Sequence, residues 1–355
     1  MKFIHIADVH LGAKPDRLFK WSDERKKERY DSFHTIIKKC NELDIDLLLI
    51  AGDLFSKQPL IRELKEVNYL FSTLGKTKVL LIAGNHDFIG LRSNYTNFKW
   101  NDNVHFFYEE EFTSIYIEEL NTEVYGFSYH SRELHEAKFH SIKPGHKDRI
   151  NILLVHGGSV NHSPMDKAKM LESDFDYIAM GHIHRPQIFE NKMAYSGSLE
   201  PMDKTELGPR GYIVGEITRE YDRKRVDLEF VVSALRQYKK IEIEVNKDTT
   251  MGNLLDMVYD RIEKEGNHDI YVVDVIGKRD AEVLFLLNNL YEVGNVIEVN
   301  DYTEPDYDFN ELYKDNRDNI IGYYIKEIET FKSDQEELTK RALYLGLEAL
   351  LGAKN

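Results

Sequence analysis

Residues 50–55 read IAGDLF and residues 82–87 read IAGNHD. In each, an apolar run stops at a Gly, and a polar residue able to bind a metal comes next. Apolar runs of the same kind occupy residues 3–7, 45–51, 79–83, 152–155 and 177–180. They are short and nearly continuous rather than alternating, the pattern of strands covered on both faces. Helix-like stretches separate them. Residues 28–43 place Phe33, Ile36, Ile37 and Cys40 on one stripe, and residues 59–74 open with Pro59 near a first turn and stop before Gly75. With further runs at 123–128 and 211–217, the first two-thirds reads as an α/β layered domain with helices outside.

The chemistry collects at the ends of these runs. The first is succeeded by Asp8-Val9-His10, the second by Gly52-Asp53 and the third by Gly84-Asn85-His86-Asp87. The fourth gives His156-Gly157, and the fifth gives Gly181-His182-Ile183-His184. Ligands of open α/β sheets bind outside the carboxyl ends of the strands, so these clusters are expected to converge. Imidazole plus carboxylate without thiolate suits divalent manganese, iron or zinc better than magnesium or calcium alone. Asp8 and His10 lie two apart, as do His182 and His184, so each pair can point to one side of an extended strand end. Seven candidate ligands are too many for one ion. Two ions sharing a carboxylate would use them, an arrangement that clamps a phosphoryl group during in-line attack. Any one cluster alone is weak, since Gly-Asp after a strand is most often a turn. Five in order point to a dinuclear site.

Composition limits the rest. The chain has 355 residues, 42% of them apolar, enough for one large domain and an appendage. A single Cys40, in register with the helical stripe of Ile36 and Ile37, excludes an internal disulfide and reads as core packing. Asp8 interrupts the N-terminus before a signal-peptide core forms, and no apolar run approaches the roughly 20 residues that cross a bilayer. The expectation is a soluble cytoplasmic protein with no membrane association. The formal charge of −15 is unusual for a nucleic-acid binder, whose affinity rests on phosphate neutralisation. Either the ligand is no polyanion, or bound cations and a local basic patch do the neutralising. One such patch is Arg25, Lys26, Lys27 and Arg29, after a loop with Lys14, Arg17 and Lys20. It is either a solvated helix face or a track for a phosphate backbone; Lys14, Arg25, Lys26 and Arg29 are the candidates for substrate contact.

Near residue 232 the texture changes. Residues 240–245 alternate strictly, helical stretches at 253–264 and 281–291 flank a run at 270–277, and a short strand comes at 296–299. After the acidic stretch DYTEPDYD (301–308), taken as a turn, come helical segments at 310–330 and 334–351. The second carries Leu338, Ala342, Leu345, Ala349 and Leu350 on one stripe, and the pair either packs on its own protein or docks a partner. The expected domains are 1–232, 233–308 and 309–355. The His-rich stretch 130–146 fits no helix or strand face and reads as a solvated connection. His5, inside the first strand, reads as a hydrogen-bonded core residue, and His162 stands in a loop that could reach substrate.

The order DVH, GDLF, GNHD, VHGG, GHIH resembles the calcineurin-like metallophosphoesterases over residues 1–230. FIHIADVHLG, GDLF, YSGSLEPMD (195–203) and RGY (210–212) resemble the SbcD/Mre11-type DNA repair nucleases, including YhaO-like bacterial exonucleases. Phosphatase branches write GDxxD, whereas Ser56 stands at that fifth position here. The resemblance implies a layered α/β sandwich of two sheets flanked by helices, with a small α/β capping domain that helps grip DNA and C-terminal helices. It implies one ion on Asp8, His10, Asp53 and His184 and another on Asp53, Asn85, His156 and His182. Manganese comes first, with iron, zinc or magnesium as alternatives. His86 would protonate the leaving 3′ oxygen or stabilise charge in the transition state, and Asp87 would orient it or else serve as a helix cap. The implied activity is metal-dependent hydrolysis of DNA phosphodiesters, as a 3′-to-5′ exonuclease on duplex ends in repair or recombination. A small-molecule phosphodiesterase or phosphatase is the alternative. The implied partners are DNA, a Rad50/SbcC-like coiled-coil ATPase docked on the C-terminal helices, and a second copy of the chain. Some members place a His after GDLF; Ser56 in its place leaves the balance of exonuclease and endonuclease activity open.

Overall fold

The doubly covered apolar runs become the central strands of two sheets. The computed structural model describes residues 1–220, 223–331 and 336–353, and the chain packs as two units, Met1–Tyr238 and Lys239–Asn355. In the first unit β1 (Lys2–Ile6), β2 (Leu47–Ala51), β3 (Lys78–Ile82) and β4 (Val104–Phe106) lie side by side and parallel. Helix α1 (Ser22–Glu42) connects β1 to β2, and α2 (Ile61–Ser72) connects β2 to β3. A second sheet starts with β5 (Thr113–Ile117), antiparallel to β6 (Thr122–Gly126). β7 (Ile150–His156) and β8 (Tyr177–Gly181) continue it in parallel, with the short α3 (Lys167–Leu171) between them. β9 (Gln187–Phe189) and β10 (Met193–Tyr195) complete the order β5-β6-β7-β8-β10-β9. The chain then returns to the first sheet, where β11 (Gly211–Glu220) and β12 (Arg223–Val232) give the order β12-β11-β1-β2-β3-β4.

Two apolar layers explain why the strands lack a polar face. Leu47, Leu49 and Ala51 of β2 pack with Ile152 and Leu154 of β7 between the sheets. Leu48 and Ile50 of the same strand pack outward with Phe33, Ile36 and Cys40 of α1. Each fully buried Leu or Ile contributes about 1.5–3 kcal/mol relative to exposure, so both faces hold the sandwich closed. Cys40 is part of this layer, and burial pushes its thiol up to about 12. The expected two-sheet sandwich flanked by helices is what the chain forms. Helix α1 starts six residues ahead of the expected residue 28, because its first turns bury Arg25, Glu28 and Arg29 instead of hydrophobes.

The second unit holds β13 (Tyr238–Val245), α4 (Met251–Glu265), β14 (Ile270–Arg279) and β15 (Val296–Pro305), in sheet order β13-β14-β15. Leu254, Val258 and Ile262 of α4 pack on Ile241, Ile243, Val273 and Val275. Residues 281–291 do not form the expected helix; a single 3₁₀ segment covers Leu287–Glu292. The Arg279 guanidinium takes the Val283 carbonyl at 2.9 Å, the group a helix would have offered to residue 287. The acidic stretch read as a turn instead extends β15 to Pro305, paired with β14. The segment 310–330 divides into α5 (Phe309–Asp315) and α6 (Ile320–Thr330), because the Asn319 side chain caps α6 through the N–H of Ile321 at 2.9 Å. Helix α7 (Glu336–Gly352) comes last; the start expected at 334 lies outside the described residues. Its packed face is Leu343, Leu347, Leu350 and Leu351, while Leu338 and Leu345 of the expected stripe are each 60% exposed.

Candidate metal centre

The parallel strands deliver their carboxyl ends to one edge, and the backbone there is unusual. Asp8, His10 and Asp53 have φ of 51°, 50° and 52°, and His182 has 91°, a region non-glycine residues seldom occupy. Such strain persists only where the surroundings hold it. The loops after β1 and β2 keep pairing beyond the strands: Asp8 N–H donates to Gly52 O at 3.2 Å, His10 N–H to Asp53 O at 3.0 Å and Leu11 N–H to Leu54 O at 2.9 Å. A Cβ on Gly84 would stand 2.3 Å from Asp53 Oδ1, so only Gly lets the third loop reach the second.

Asp53 occupies the middle. Its Oδ1 accepts the His86 N–H at 2.8 Å, and its Oδ2 lies 3.5 Å from His156 Nε2 and 3.8 Å from His10 Nε2. On one side His10 Nε2 and His184 Nε2 approach to 3.1 Å, with Asp8 Oδ1 at 3.9 Å from the latter. On the other, Asn85 Oδ1 lies 2.9 Å from His156 Nε2 and 3.2 Å from His182 Nδ1. Asp8 with His10 and His184, His10 with Asp53 and His86, and Asp8 with Asp53 and His156 each gather ligand atoms within 4.8 Å of one another. Two imidazole nitrogens cannot both point lone pairs at each other over 3.1 Å unless one carries a proton or a cation sits between them. The nitrogen and oxygen donors, with no thiolate among them, fit a divalent transition ion.

The protonation pattern is that of a crowded anionic and cationic cluster. Burial alone would raise the Asp53 carboxyl, but His156, His10 and His86 around it hold it below the usual range. Burial opposes charge on His156 as well, yet Asp53 and Asp8 raise it to about 9. Burial is the main force raising Asp8 to about 6, and burial with the charge of Asp53 raises Asp87 to about 7. His182 is lowered to about 3 by burial and by the neighbouring His156 and His162. A divalent ion would displace the His156 proton, since imidazole ligates only when deprotonated on the binding nitrogen.

The pattern of the calcineurin-like phosphoesterases matches residues 1–186. The chain belongs to that family. Members of this phosphoesterase family use divalent metals, in keeping with the clusters above. The chain is 28% identical over 293 residues to the metallophosphoesterase YhaO of Bacillus subtilis, covering 74% of this chain and 68% of that protein. It is 30% identical over 293 residues to the DNA double-strand break repair protein Mre11 of Methanocaldococcus jannaschii, covering 75% and 77%. A protein of the same name from Methanococcus maripaludis is 28% identical over 249 residues, covering 62% and 64%.

In this phosphoesterase the seven candidate ligands and His86 come together, while other expected site residues do not. Arg25 and Arg29 are fully buried and offer no surface to a phosphate backbone. Arg25 binds Glu28, Glu200 and the Pro201 carbonyl; Arg29 binds the carbonyls of Val9 at 3.2 Å and Pro201 at 2.8 Å. Periodicity could not separate a charged face in water from one closed by partners far along the chain. Lys26 is exposed, and Lys14, also exposed, pairs with Asp23 at 2.7 Å. Among the described residues the Asp87 carboxylate makes no hydrogen bond to the His86 ring and caps no helix. Its carboxylate accepts the N–H of Gly84 at 2.8 Å, that of Phe55 at 3.1 Å and the Tyr95 hydroxyl at 2.9 Å, tying two loops together. His86 Nδ1 instead faces the Ser56 carbonyl at 3.3 Å. His5 hydrogen-bonds Tyr177 at 2.8 Å, as a core role requires.

Three contributors escaped sequence reasoning. Glu206 Oε1 meets His184 Nδ1 at 2.5 Å, Ser159 Oγ lies 3.0 Å from His182 Nε2, and the Tyr129 hydroxyl donates to His156 O at 2.9 Å. None stands at a motif spacing; only the proximity of Glu206 to the YSGSLEPMD stretch was a signal. Among the described residues no helix is long and apolar enough to cross a membrane.

Proposed function

We propose that this phosphoesterase is a metal-dependent DNA nuclease, acting as a 3′-to-5′ exonuclease on duplex ends. The observation that carries it is the central Asp53 carboxylate facing two sets of donors, with His86 left at a partly exposed rim. Asp8, His10, Asp53 and His184 would hold one divalent ion, and Asp53, Asn85, His156 and His182 the other, manganese being the first choice. When bound, the ions supply a water of lowered pKa and neutralise charge on the phosphoryl group. His86 is anchored by its main chain to Asp53, which leaves its imidazole to protonate the leaving 3′ oxygen. DNA as substrate is supported by GDLF and by relatives named as double-strand break repair proteins. A Rad50/SbcC-like ATPase as partner and self-association rest on the same likeness; Lys14 and Lys26 remain the candidate phosphate contacts. The charge of −15 favours a second reading, a small-molecule phosphodiesterase at the same site.

End-labelled duplex DNA and bis-p-nitrophenyl phosphate, each incubated with the full chain and Mn²⁺, separate the two. A parallel arm contains the ATPase partner. DNA shortening from the 3′ end is expected, reduced about 10²–10⁴-fold in His86→Gln. Turnover of the small diester with intact DNA in both arms would sink the nuclease assignment. Unchanged rates in His86→Gln would remove His86 from the chemistry.

A further inference from the structure

The four imidazoles among the seven candidate ligands differ in what binds the ring nitrogen turned away from the site. His156 Nδ1 has the Ala51 carbonyl at 2.9 Å, His182 Nε2 has the Ser159 hydroxyl at 3.0 Å, and His10 Nδ1 is buried without a partner among the described residues. His184 alone has a carboxylate, Glu206 Oε1 at 2.5 Å. Resting on the two-ion reading above, we propose that Glu206 is a positioning residue for that site: it fixes the tautomer and ring orientation of His184 and thereby sets the affinity of the ion His184 holds.

Donor and acceptor roles decide the tautomer. An ionised carboxylate only accepts, so His184 Nδ1 must carry the proton. The neutral ring then has its lone pair on Nε2, the nitrogen that lies 3.1 Å from His10 Nε2 and 3.9 Å from Asp8 Oδ1. A carboxylate also makes the opposite nitrogen a stronger base than a carbonyl or hydroxyl does. Glu206 is itself held in place. Its Oε2 accepts the Met202 N–H at 2.9 Å and lies 3.7 Å from Arg210 Nε. The Arg210 guanidinium in turn takes the carbonyls of Leu207 at 3.2 Å and Pro209 at 3.0 Å, so the turn that carries Glu206 is closed on itself. The segment also grips His184 through the main chain, where Ser198 N–H donates to His184 O at 3.1 Å. One stretch of chain thus holds both the backbone and the ring of a single candidate ligand.

The test is Mn²⁺ titration of the full chain, read by electron paramagnetic resonance and calorimetry, with wild type, Glu206→Gln and Glu206→Ala. Thermal unfolding without metal controls for folding. Two bound ions in the wild type are expected, with one of them weakened about 10–100-fold in Glu206→Ala. Glu206→Gln retains an acceptor for Nδ1–H and is expected to recover part of that loss. Proton-coupled ¹⁵N spectra should show His184 as a single Nδ1–H tautomer in wild type and Glu206→Gln and as a mixture in Glu206→Ala. If Glu206→Ala unfolds, the Gln variant decides: one ion weakened relative to wild type supports the inference, whether the Nδ1–H tautomer is kept or becomes mixed, and two ions at wild-type affinity overturn it. Two ions bound by Glu206→Ala with wild-type affinity overturn the inference alone. A wild type that binds no ion overturns the two-ion reading and this inference with it.

Discussion

The loops after β1 and β2 hold Asp8, His10 and Asp53 with main-chain hydrogen bonds to one another, whereas the ends of β7 and β8 place His156, His182 and His184 through partners on their rings. The first half of the site is therefore built by backbone, closed by residues adjacent in its own motifs. The second half is hung from distant contacts: Ala51 for His156, Ser159 for His182 and Glu206 for His184. What joins the halves is close approach of main chain, with the His182 N–H donating to Asp8 Oδ2 at 2.9 Å.

The heaviest blow to this joint is Gly181→Ala. Its Cβ would stand 2.0 Å from the Ala51 carbonyl and 2.8 Å from His156 Nδ1, both in the tight seam between sheets. Neither can retreat, because Ala51 O already accepts the His156 ring. A loss of roughly 3 kcal/mol or more in urea unfolding is expected, with Mn²⁺ binding lost in whatever fraction still folds. A change within about 0.5 kcal/mol, the range of ordinary surface substitutions, would show that the halves are not pressed together as described.

A second link between the sheets responds to pH. His5 of β1 reaches Tyr177 of β8, and burial lowers its pKa from 6.5 to about 3. Between those values the unfolded chain takes up a proton at this residue and the folded chain does not. Stability is therefore complete above pH 6.5 and falls as pH drops, with His5 contributing about 1.4 kcal/mol per pH unit within the window. His5→Asn, which offers Tyr177 an amide oxygen, should flatten the metal-free stability profile between about pH 6 and pH 4 by about that slope. An identical slope in urea titrations of the two proteins would mean that His5 is not held neutral between the sheets.

The same contrast explains how much could be read from the chain itself. The first-half motifs were legible because ligand, Gly and strand are contiguous: IAGDLF and IAGNHD each contain the strand end, the turn and the ligand. The sandwich was legible for the same reason, since runs covered on both faces leave no polar alternation. Arg25 and Arg29 misled because their partners, Glu200 and the carbonyls of Val9 and Pro201, are distant in sequence, and a buried charged face has the same period as a solvated one. Asp87 misled through the opposite fault. Its neighbour His86 suggested a pair, while its carboxylate is consumed by Gly84, Phe55 and Tyr95. In the second unit, Arg279 took a carbonyl that local propensity had assigned to a helix. Side-chain bonds to main chain over long separations leave no periodic trace.

Ser159→Ala probes the contrast between the halves with the smallest effect. The hydroxyl lies between His182 Nε2 at 3.0 Å and His162 Nδ1 at 3.1 Å, and it has one proton to give. Whichever ring receives that proton, the other must supply one, so removing the hydroxyl frees two rings but strands no charge. A neutral hydrogen bond is worth about 0.5–1.5 kcal/mol net, which corresponds to a roughly 2–10-fold weaker ion on the His182 side. His182 is also fixed by its main-chain N–H to Asp8, a bond the substitution leaves alone. The loss in Mn²⁺ affinity should accordingly stay below that of Glu206→Ala and fall on the other ion. Losses of equal size on the same ion would mean that the two outer partners act through one shared segment, and the division of the second half into separately hung ligands would have to be abandoned.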